Sequence, residues 1–153
     1  MNAVANDPFF AVIREVLRIR SKTRRLFRPV EETTGLSAME LAVLGTIAES
    51  SHRLTASDIG RRLGYPRQVI QRTANELTSR KLTTGQANPA HKRAQLLVLT
   101  GAGRELKAVA DQRARDISAE LLNGLDPATC ENLAAELGKL RTAIDKQLAS
   151  VGA

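Results

Sequence analysis

The sequence predicts a mainly α-helical fold, in which a winged helix-turn-helix with a two-stranded β-hairpin wing lies between N-terminal and C-terminal helices. Apolar residues recur every three or four positions along most of the chain, as in amphipathic helices. Near the middle, a glycine separates a short helical segment from a longer one, and two strand-like segments follow it. With 153 residues, 42% of them hydrophobic, the chain 1–153 is expected to form a single domain with appended helices.

The first helix is predicted from Phe9 to Arg28, because its apolar residues repeat at helical spacing and Pro29 is expected to end it. The other side of this helix carries four basic residues spaced by three or four: Arg14, Arg18, Lys22 and Arg25. This basic face has three interpretations, which are a solvated surface, a contact with DNA phosphates and adsorption to anionic lipid.

Two capping signatures mark the starts of the next two helices. Ser37 with Glu40, and Thr55 with Asp58, have the capping-box spacing, in which each side chain bonds the other residue's backbone amide. Gly64 is expected to end the second of these helices, and a longer helix follows from about 66 to 81. A short helix, a turn and a longer helix are typical of a helix-turn-helix.

A β-hairpin is predicted after this motif. Residues 81–85 and 95–100 contain Leu, Val and Thr, and Asn88 followed by Pro89 indicates a turn between them. The tip of this hairpin is basic, since it carries Lys92 and Arg93.

Two long helices are predicted to complete the chain. Thr100 caps the first, which runs to about Asn123, and Asp126 with Pro127 starts the second. The last helix has an apolar seam formed by Leu133, Leu137, Leu140, Ile144 and Leu148.

Charge is concentrated in the middle of the chain. The net charge is +7, and residues 53–93 alone carry nine basic and two acidic residues, whereas residues 94–153 are nearly neutral. A basic segment suits a polyanion. Because the chain has three Phe, one Tyr and no Trp, it lacks the stacking platforms on which single-strand binders depend. Double-stranded DNA is therefore the expected partner.

Catalytic, metal-binding and cofactor-binding patterns are not found in the sequence. The single cysteine, Cys130, and the two histidines, His52 and His91, have no spacing typical of a zinc site or a nucleophilic triad. We therefore expect no enzymatic activity, no metal and no cofactor. No apolar run is as long as a membrane span and no signal peptide is recognised, so we expect a cytoplasmic protein with no membrane contact.

The candidate DNA-binding residues lie on the longer helix and at the hairpin tip. Arg can bond guanine and Gln can bond adenine in the major groove, which makes Arg67 and Gln68, near the helix start, the expected base readers. Gln71 lies one turn further on, and Arg72 is expected to hold phosphate. Lys92 and Arg93 would contact the backbone or the minor groove.

Four segments together resemble the MarR family (multiple-antibiotic-resistance regulators) of bacterial transcription regulators. They are LSAMELAVL at 36–44, LTASDIGRRLG at 54–64, PRQVIQR at 66–72 and KRAQLLVLT at 92–100. The resemblance extends over residues 9–148 and implies a homodimer, with dimerisation helices in 9–35 and 100–150 and a DNA-binding part in 36–99. It also implies a pseudo-palindromic operator, and release by a small phenolic or other lipophilic effector. The family's recognition positions fall on Arg67, Gln68, Gln71 and Arg72, and its wing arginine falls on Arg93.

The leading hypothesis is therefore a sequence-specific double-stranded DNA-binding regulator, more specifically a homodimeric repressor released by a ligand. The alternative is a winged-helix adaptor that binds a protein partner and not specific DNA. His91 stands where the family's wing usually has an acid, which favours the adaptor, while the basic segment opposes it. Two smaller hypotheses are that Cys130 senses oxidants and that His91 adds DNA affinity when protonated.

Overall fold

The structure is a computed structural model that describes residues 7–91 and 93–151. Within these residues seven helices and three strands follow in this order: α1 (Pro8–Leu26), α2 (Arg28–Thr34), α3 (Ala38–Glu49), β1 (Leu54–Thr55), α4 (Ala56–Leu63), α5 (Arg67–Ser79), β2 (Thr83–Gln86), β3 (Leu96–Leu99), α6 (Gly101–Leu122) and α7 (Pro127–Val151). The predicted fold class is confirmed: α4 and α5 form the helix-turn-helix, and β2 and β3 form the wing.

The prediction that Pro29 ends the first helix is wrong in one respect. Helix α1 does end at Leu26, but a second helix, α2, begins at Arg28 and has Pro29 in its first turn. Proline is tolerated there because the first turn of a helix has no intrahelical acceptor for its amides. Gly35 then ends α2 in the left-handed region, with φ +64°.

The wing belongs to a three-stranded antiparallel sheet with the order β1-β3-β2. The hairpin pairs Thr83 with Leu99 and Gln86 with Leu96, as expected for β2 and β3. The additional strand, β1, is the short segment just before α4, where Leu54 pairs with Leu97. This pairing attaches the base of the wing to the start of the helix-turn-helix.

The hydrophobic core lies within the helix-turn-helix and its supports. Its largest fully buried side chains come from residues 36–77 and include Leu44, Ile59, Ile70 and Leu77, which are all at most 1% exposed. These residues come from α3, α4 and α5, so burial of their apolar surface holds the three helices together. The exposed face of α5 therefore has a rigid support.

The chain divides into two compact units, one extending to Ala114 and one beginning at Arg115. In the second unit, the predicted apolar seam of α7 is present but lies largely exposed: Leu133 and Leu148 are 58% and 65% exposed. No helix among the described residues is long and apolar enough to cross a membrane.

Candidate nucleic-acid interface

Helix α4 begins with the predicted capping box. The Thr55 amide donates to Asp58 Oδ2 at 2.9 Å, and the Asp58 amide donates to Thr55 Oγ1 at 3.2 Å. Hydrogen bonds from the Thr55 hydroxyl and amide, together with the charges of Arg61 and His52, outweigh partial burial and lower the pKa of Asp58. The ionised carboxylate therefore holds the first turn of α4 in place.

The turn between α4 and α5 is shaped by two glycines. Gly64 ends α4 at φ +72°, a conformation that suits glycine because it has no Cβ atom. Gly60 lies within α4, where a Cβ would stand 2.7 Å from the backbone oxygen of Tyr65. The Tyr65 amide also donates to the Gly60 carbonyl at 2.9 Å. The chain thus turns tightly against α4 before α5 begins.

Helix α5 has one buried face and one exposed polar face. The buried face carries Ile70, Thr73, Ala74 and Leu77. The four predicted reading residues are all exposed, and helical geometry brings them together on the other face: Arg67, Gln68, Gln71 and Arg72. Gln71 Nε2 donates to Asn75 Oδ1 at 3.1 Å, which adds Asn75 to this polar face.

The start of α5 differs from the starts of α3 and α4. Both of those helices have a capping box with an acid in the first turn. Helix α5 begins after Pro66 with no side-chain cap and no acid in its first turn. The partial positive charge of this helix end is therefore not offset by a nearby carboxylate, an arrangement that suits an anion such as a DNA phosphate.

The wing tip is a compact basic turn. The His91 amide donates to the Asn88 carbonyl at 3.2 Å, and the Ala90 amide donates to Asn88 Oδ1 at 3.0 Å. Arg93 is exposed in this turn, whereas the prediction for Lys92 lies outside the described residues. The structure therefore places Arg93 at the wing and the four helix residues on α5.

Three further basic residues in or just before the helix-turn-helix are exposed but were not predicted as DNA contacts from the sequence. Arg53 precedes β1, and Arg61 and Arg62 occupy the last turn of α4. Arg61 pairs with Asp58, and Arg62 Nη2 lies 3.3 Å from His52 Nε2. For Arg61 and Arg62 the sequence did contain a signal, because both lie on the first helix of the motif, which in such motifs crosses the DNA backbone.

A cleft of about 1270 Å³ lies within the first unit, lined by α1, α2, α3, α6 and the helix-turn-helix turn. Its walls combine apolar residues such as Leu17 and Met39 with the basic side chains of Arg20 and Arg24. On α6, Lys107 Nζ donates to both carboxylate oxygens of Asp111 at 2.6 and 2.7 Å, so the negative charge of Asp111 offsets the positive charge of Lys107.

Tyr65 also lines the cleft, and it lies two residues before the start of α5. The sequence did not identify this cleft, because five separate segments form it.

Within 7–91 and 93–151, no three His, Cys, Asp or Glu side chains are grouped so that they could hold a metal ion. Cys130 is a free, half-buried cysteine near the start of α7.

Comparison with known proteins finds similarity to the MarR family and to proteins that share its fold. The sequence model of the MarR family matches residues 34–94, which contain α3, α4, α5 and the hairpin up to the wing tip. The uncharacterized protein Rv2011c of Mycobacterium tuberculosis is 28% identical over 139 residues, which cover 91% of this chain and 96% of that protein.

Two solved structures share the fold over most of the chain. A MarR/EmrR family transcriptional regulator from Acinetobacter sp. ADP1 superposes with a TM-score of 0.77 at 21% identity, covering 92% of this chain and 99% of the other. BpsR of Bordetella bronchiseptica, whose DNA binding is regulated by 6-hydroxynicotinic acid, superposes with a TM-score of 0.73 at 22% identity, covering 86% and 98%. The helix-turn-helix region of the chain therefore matches the MarR family model, and nearly the whole chain shares the fold of solved MarR-family transcriptional regulators.

Proposed function

We propose that the protein is a homodimeric repressor that reads a pseudo-palindromic operator with α5 and the wing, and that a small molecule releases it. The observation that carries this proposal is the exposed face of α5, where two arginines and two glutamines stand together above a fully buried opposite face. The family is one of DNA-binding regulators and not of enzymes, so no catalytic role is assigned to any residue.

Base reading is assigned to the first turn of α5. Helix N-termini approach base edges in this type of motif, so Arg67 bonds guanine and Gln68 bonds adenine. Gln71 lies one turn further along the same face, and Arg72 holds a phosphate. At the wing, Arg93 and the adjacent Lys92 contact the backbone or a narrow minor groove.

Phosphate contacts are assigned to the basic surroundings of α5. Arg61 and Arg62, at the end of α4, are exposed beside the turn that leads into α5. The uncapped start of α5 adds a helix-dipole contribution. Each phosphate neutralised releases counterions, so DNA binding weakens steeply as salt increases.

Homodimer formation is supported by apolar side chains left exposed on the terminal helices. On α7 the exposed residues of the seam are Leu133, Leu137, Ile144 and Leu148, and on α1 they include Val12, Val16 and Ile19. Apolar side chains exposed in this way on each helix are unfavourable in water and are typical of an interface. Two α5 helices related by a two-fold axis would contact half-sites about 10 bp apart, centre to centre.

The effector is assigned to the cleft of the first unit. The cleft has apolar walls and a small excess of basic over acidic residues, since it is lined by Arg20, Arg24 and Arg25 and by Glu31 and Glu49. Such a lining suits a small aromatic or other lipophilic molecule that carries a negative charge, such as a phenolic acid. Tyr65 belongs both to the cleft wall and to the segment that leads into α5, so a bound molecule would contact the segment that positions the reading helix. The regulation of BpsR by 6-hydroxynicotinic acid supports this assignment by analogy.

A selection experiment tests the proposal. The protein is used to select duplexes from a random DNA pool, and the enriched sequence is expected to contain an inverted repeat. A screen of phenolic acids against the protein bound to this duplex is then expected to find a compound that releases it. Enrichment of no sequence, together with a nuclease-insensitive protein partner in a pull-down, would favour the adaptor alternative instead.

A further inference from the structure

Arg80 lies in the most basic segment of the chain, but its guanidinium is bonded to a carboxylate of another helix. It follows α5 as its C-terminal cap residue, and its Nη1 donates to Glu40 Oε1 at 2.9 Å. The pairs Arg28–Glu32 and Arg61–Asp58 lie within single helices, whereas this pair joins residues 40 positions apart. The Glu40 side chain is only 10% exposed.

The same carboxylate closes the start of α3. Glu40 Oε2 accepts hydrogen bonds from the Ser37 amide at 2.8 Å and from the Ser37 hydroxyl at 2.9 Å. Arg80 Nη2 lies 3.9 Å from the position that a Cβ on Gly35 would occupy. Arg80 therefore stands against the bend at 35–37, where α2 leads into α3.

The chain just after α5 is also held from a second side. Thr100 Oγ1 donates to the Lys81 carbonyl at 2.7 Å, and the Thr100 amide donates to the Leu82 carbonyl at 3.1 Å. Thr100 is the residue just before α6. The C-terminal end of α5 is thus fixed to the start of α3 on one side and to the start of α6 on the other.

We infer that Arg80 is a positioning residue, which sets the direction of α5 through Glu40 and makes no DNA contact itself. The inference rests on the proposed reading of DNA by α5. Helix α5 has 13 residues, and at 1.5 Å per residue its reading end lies about 20 Å from this anchor. A rotation of about 5° at the anchor would move that end by about 2 Å, enough to misplace hydrogen bonds to base edges.

Two substitutions remove the contact with opposite changes of charge. In Glu40→Gln the amide oxygen can still accept from Ser37, because Gln also serves in capping boxes, but the ion pair is lost. In Arg80→Met the apolar stem of the side chain is retained. Glu32→Gln and Arg28→Met make the same charge changes in the exposed Arg28–Glu32 pair of α2, so they are the matched controls.

The DNA measurement uses a duplex selected from a random pool by the parent protein and a scrambled duplex. We expect Glu40→Gln and Arg80→Met each to weaken binding to the selected duplex roughly tenfold, since each breaks one charged hydrogen bond of the anchor. The double variant should be no weaker than either single variant, and Arg80→Lys should restore part of the affinity. Affinities are calculated from the concentration of binding-competent protein, at a temperature where every variant is folded.

The sign of the Glu40→Gln effect distinguishes positioning from electrostatics. If Glu40 acted only through its charge, Glu40→Gln would raise the affinity for DNA, because a negative charge that repels the phosphates is removed. If Glu40 positions α5, the substitution lowers the affinity for the selected duplex and does not lower the affinity for the scrambled duplex. Tighter binding of the selected duplex by Glu40→Gln would overturn the inference. The inference would also be overturned if Arg80→Met lost affinity equally for both duplexes and if the slope of its log affinity against log salt concentration fell by the amount expected for one phosphate contact.

Hydrogen exchange on the full chain tests the anchor without DNA. In Glu40→Gln, we expect faster amide exchange both at 36–40 and at 78–82, with no change at 78–82 in Glu32→Gln. Unchanged exchange at 78–82 would overturn the inference whatever the DNA result. If the parent protein prefers no duplex, the proposed function fails, and the exchange result alone decides whether Glu40 holds the end of α5.

Discussion

Gly60 and Tyr65 meet so closely in the helix-turn-helix that the carbonyl oxygen of Tyr65 lies 2.7 Å from the place where a Cβ on residue 60 would stand. The Tyr65 amide donates to the Gly60 carbonyl at 2.9 Å in the same turn. The turn can therefore pack against α4 only because residue 60 has no side chain. The relative placement of α4 and α5, and with it the exposed face of α5, depends on this contact.

Gly60→Ala is accordingly expected to destabilise the protein by about 1–3 kcal/mol, because the new methyl group forces the turn away from α4. The measurement is the free energy of unfolding in urea, together with binding to the selected duplex. The control is Gly45→Ala within α3, where a Cβ would make ordinary contacts at 3.7 Å or more. That change should be neutral or stabilising by up to about 1 kcal/mol. Equal effects of the two substitutions would contradict the proposed close packing.

Arg67→Ala and Arg72→Ala are expected to weaken DNA binding in different ways. Loss of a bidentate contact from Arg67 should cost about 1–3 kcal/mol at one base pair and relax the preference there. Loss of Arg72 should weaken binding to all sequences and reduce the salt slope by about one contact. The measurement is a set of titrations against duplexes with single base-pair changes. If Arg67→Ala weakens binding equally for every duplex, Arg67 is a phosphate contact and not a base reader.

Lys81 is the one residue other than glycine with a positive φ among the described residues, at +57°. A side chain in this left-handed region is strained, so Lys81→Gly is expected to raise the free energy of unfolding by up to about 1 kcal/mol. Lys81→Ala removes the same charge but keeps the Cβ atom, and should give no gain. Thermal or urea unfolding of both variants makes the comparison. If both variants had a higher free energy of unfolding than the parent, the effect would come from the loss of charge and not from relief of backbone strain.

Stability is expected to fall at acid pH through Glu40 and Asp58. Burial alone would raise the pKa of Glu40, but hydrogen bonds from Ser37 and Arg80 outweigh it, so the pKa is lowered from its ordinary value of 4.5. The pKa of Asp58 is lowered from 3.8, chiefly by Thr55. A lowered folded-state pKa stabilises the protein above the unfolded-state pKa, and this stabilisation is lost as pH falls through the folded-state pKa.

The Glu40→Gln variant measures this contribution. It should be less stable than the parent by about 1–2 kcal/mol at pH 7, and the difference should shrink as pH falls below about 4. Urea unfolding of both proteins at a series of pH values provides the data. A difference that stays constant down to pH 2 would show that the ionised carboxylate makes no such contribution.

Leu137→Glu is expected to convert the proposed dimer into monomers, because it places a charge in the exposed apolar seam of α7. Ala135→Glu introduces the same group on the opposite side of the helix and should leave the dimer intact. Sedimentation equilibrium of the parent and both variants gives the oligomeric state. A monomeric parent protein, or a Leu137→Glu variant that remains dimeric, would contradict a dimer interface that includes this seam.

Local patterns predicted much of the fold, and long-range contacts account for what they missed. The capping boxes at Ser37 and Thr55 and the glycine stop at Gly64 were predicted because each depends on residues within one helical turn. Pro29 was misinterpreted because proline serves equally well as a helix stop and as a first-turn residue.

The exposed face of α5 also followed from local periodicity, which is why Arg67, Gln68, Gln71 and Arg72 could be chosen from the sequence. Contacts between distant segments could not be predicted in the same way. The Glu40–Arg80 pair and the cleft between α1 and α6 depend on tertiary packing. The positive φ at Lys81 could not be predicted either, because the residue at this position is not a glycine.

Recognition of a specific DNA sequence through α5 is the function that we propose for the protein. The most direct measurement is the ratio of its affinities for the selected duplex and a scrambled duplex of the same composition, taken at several salt concentrations. We expect a ratio of at least about 10³ near physiological salt, with both affinities falling as salt increases. A ratio near one at every salt concentration would contradict sequence-specific recognition.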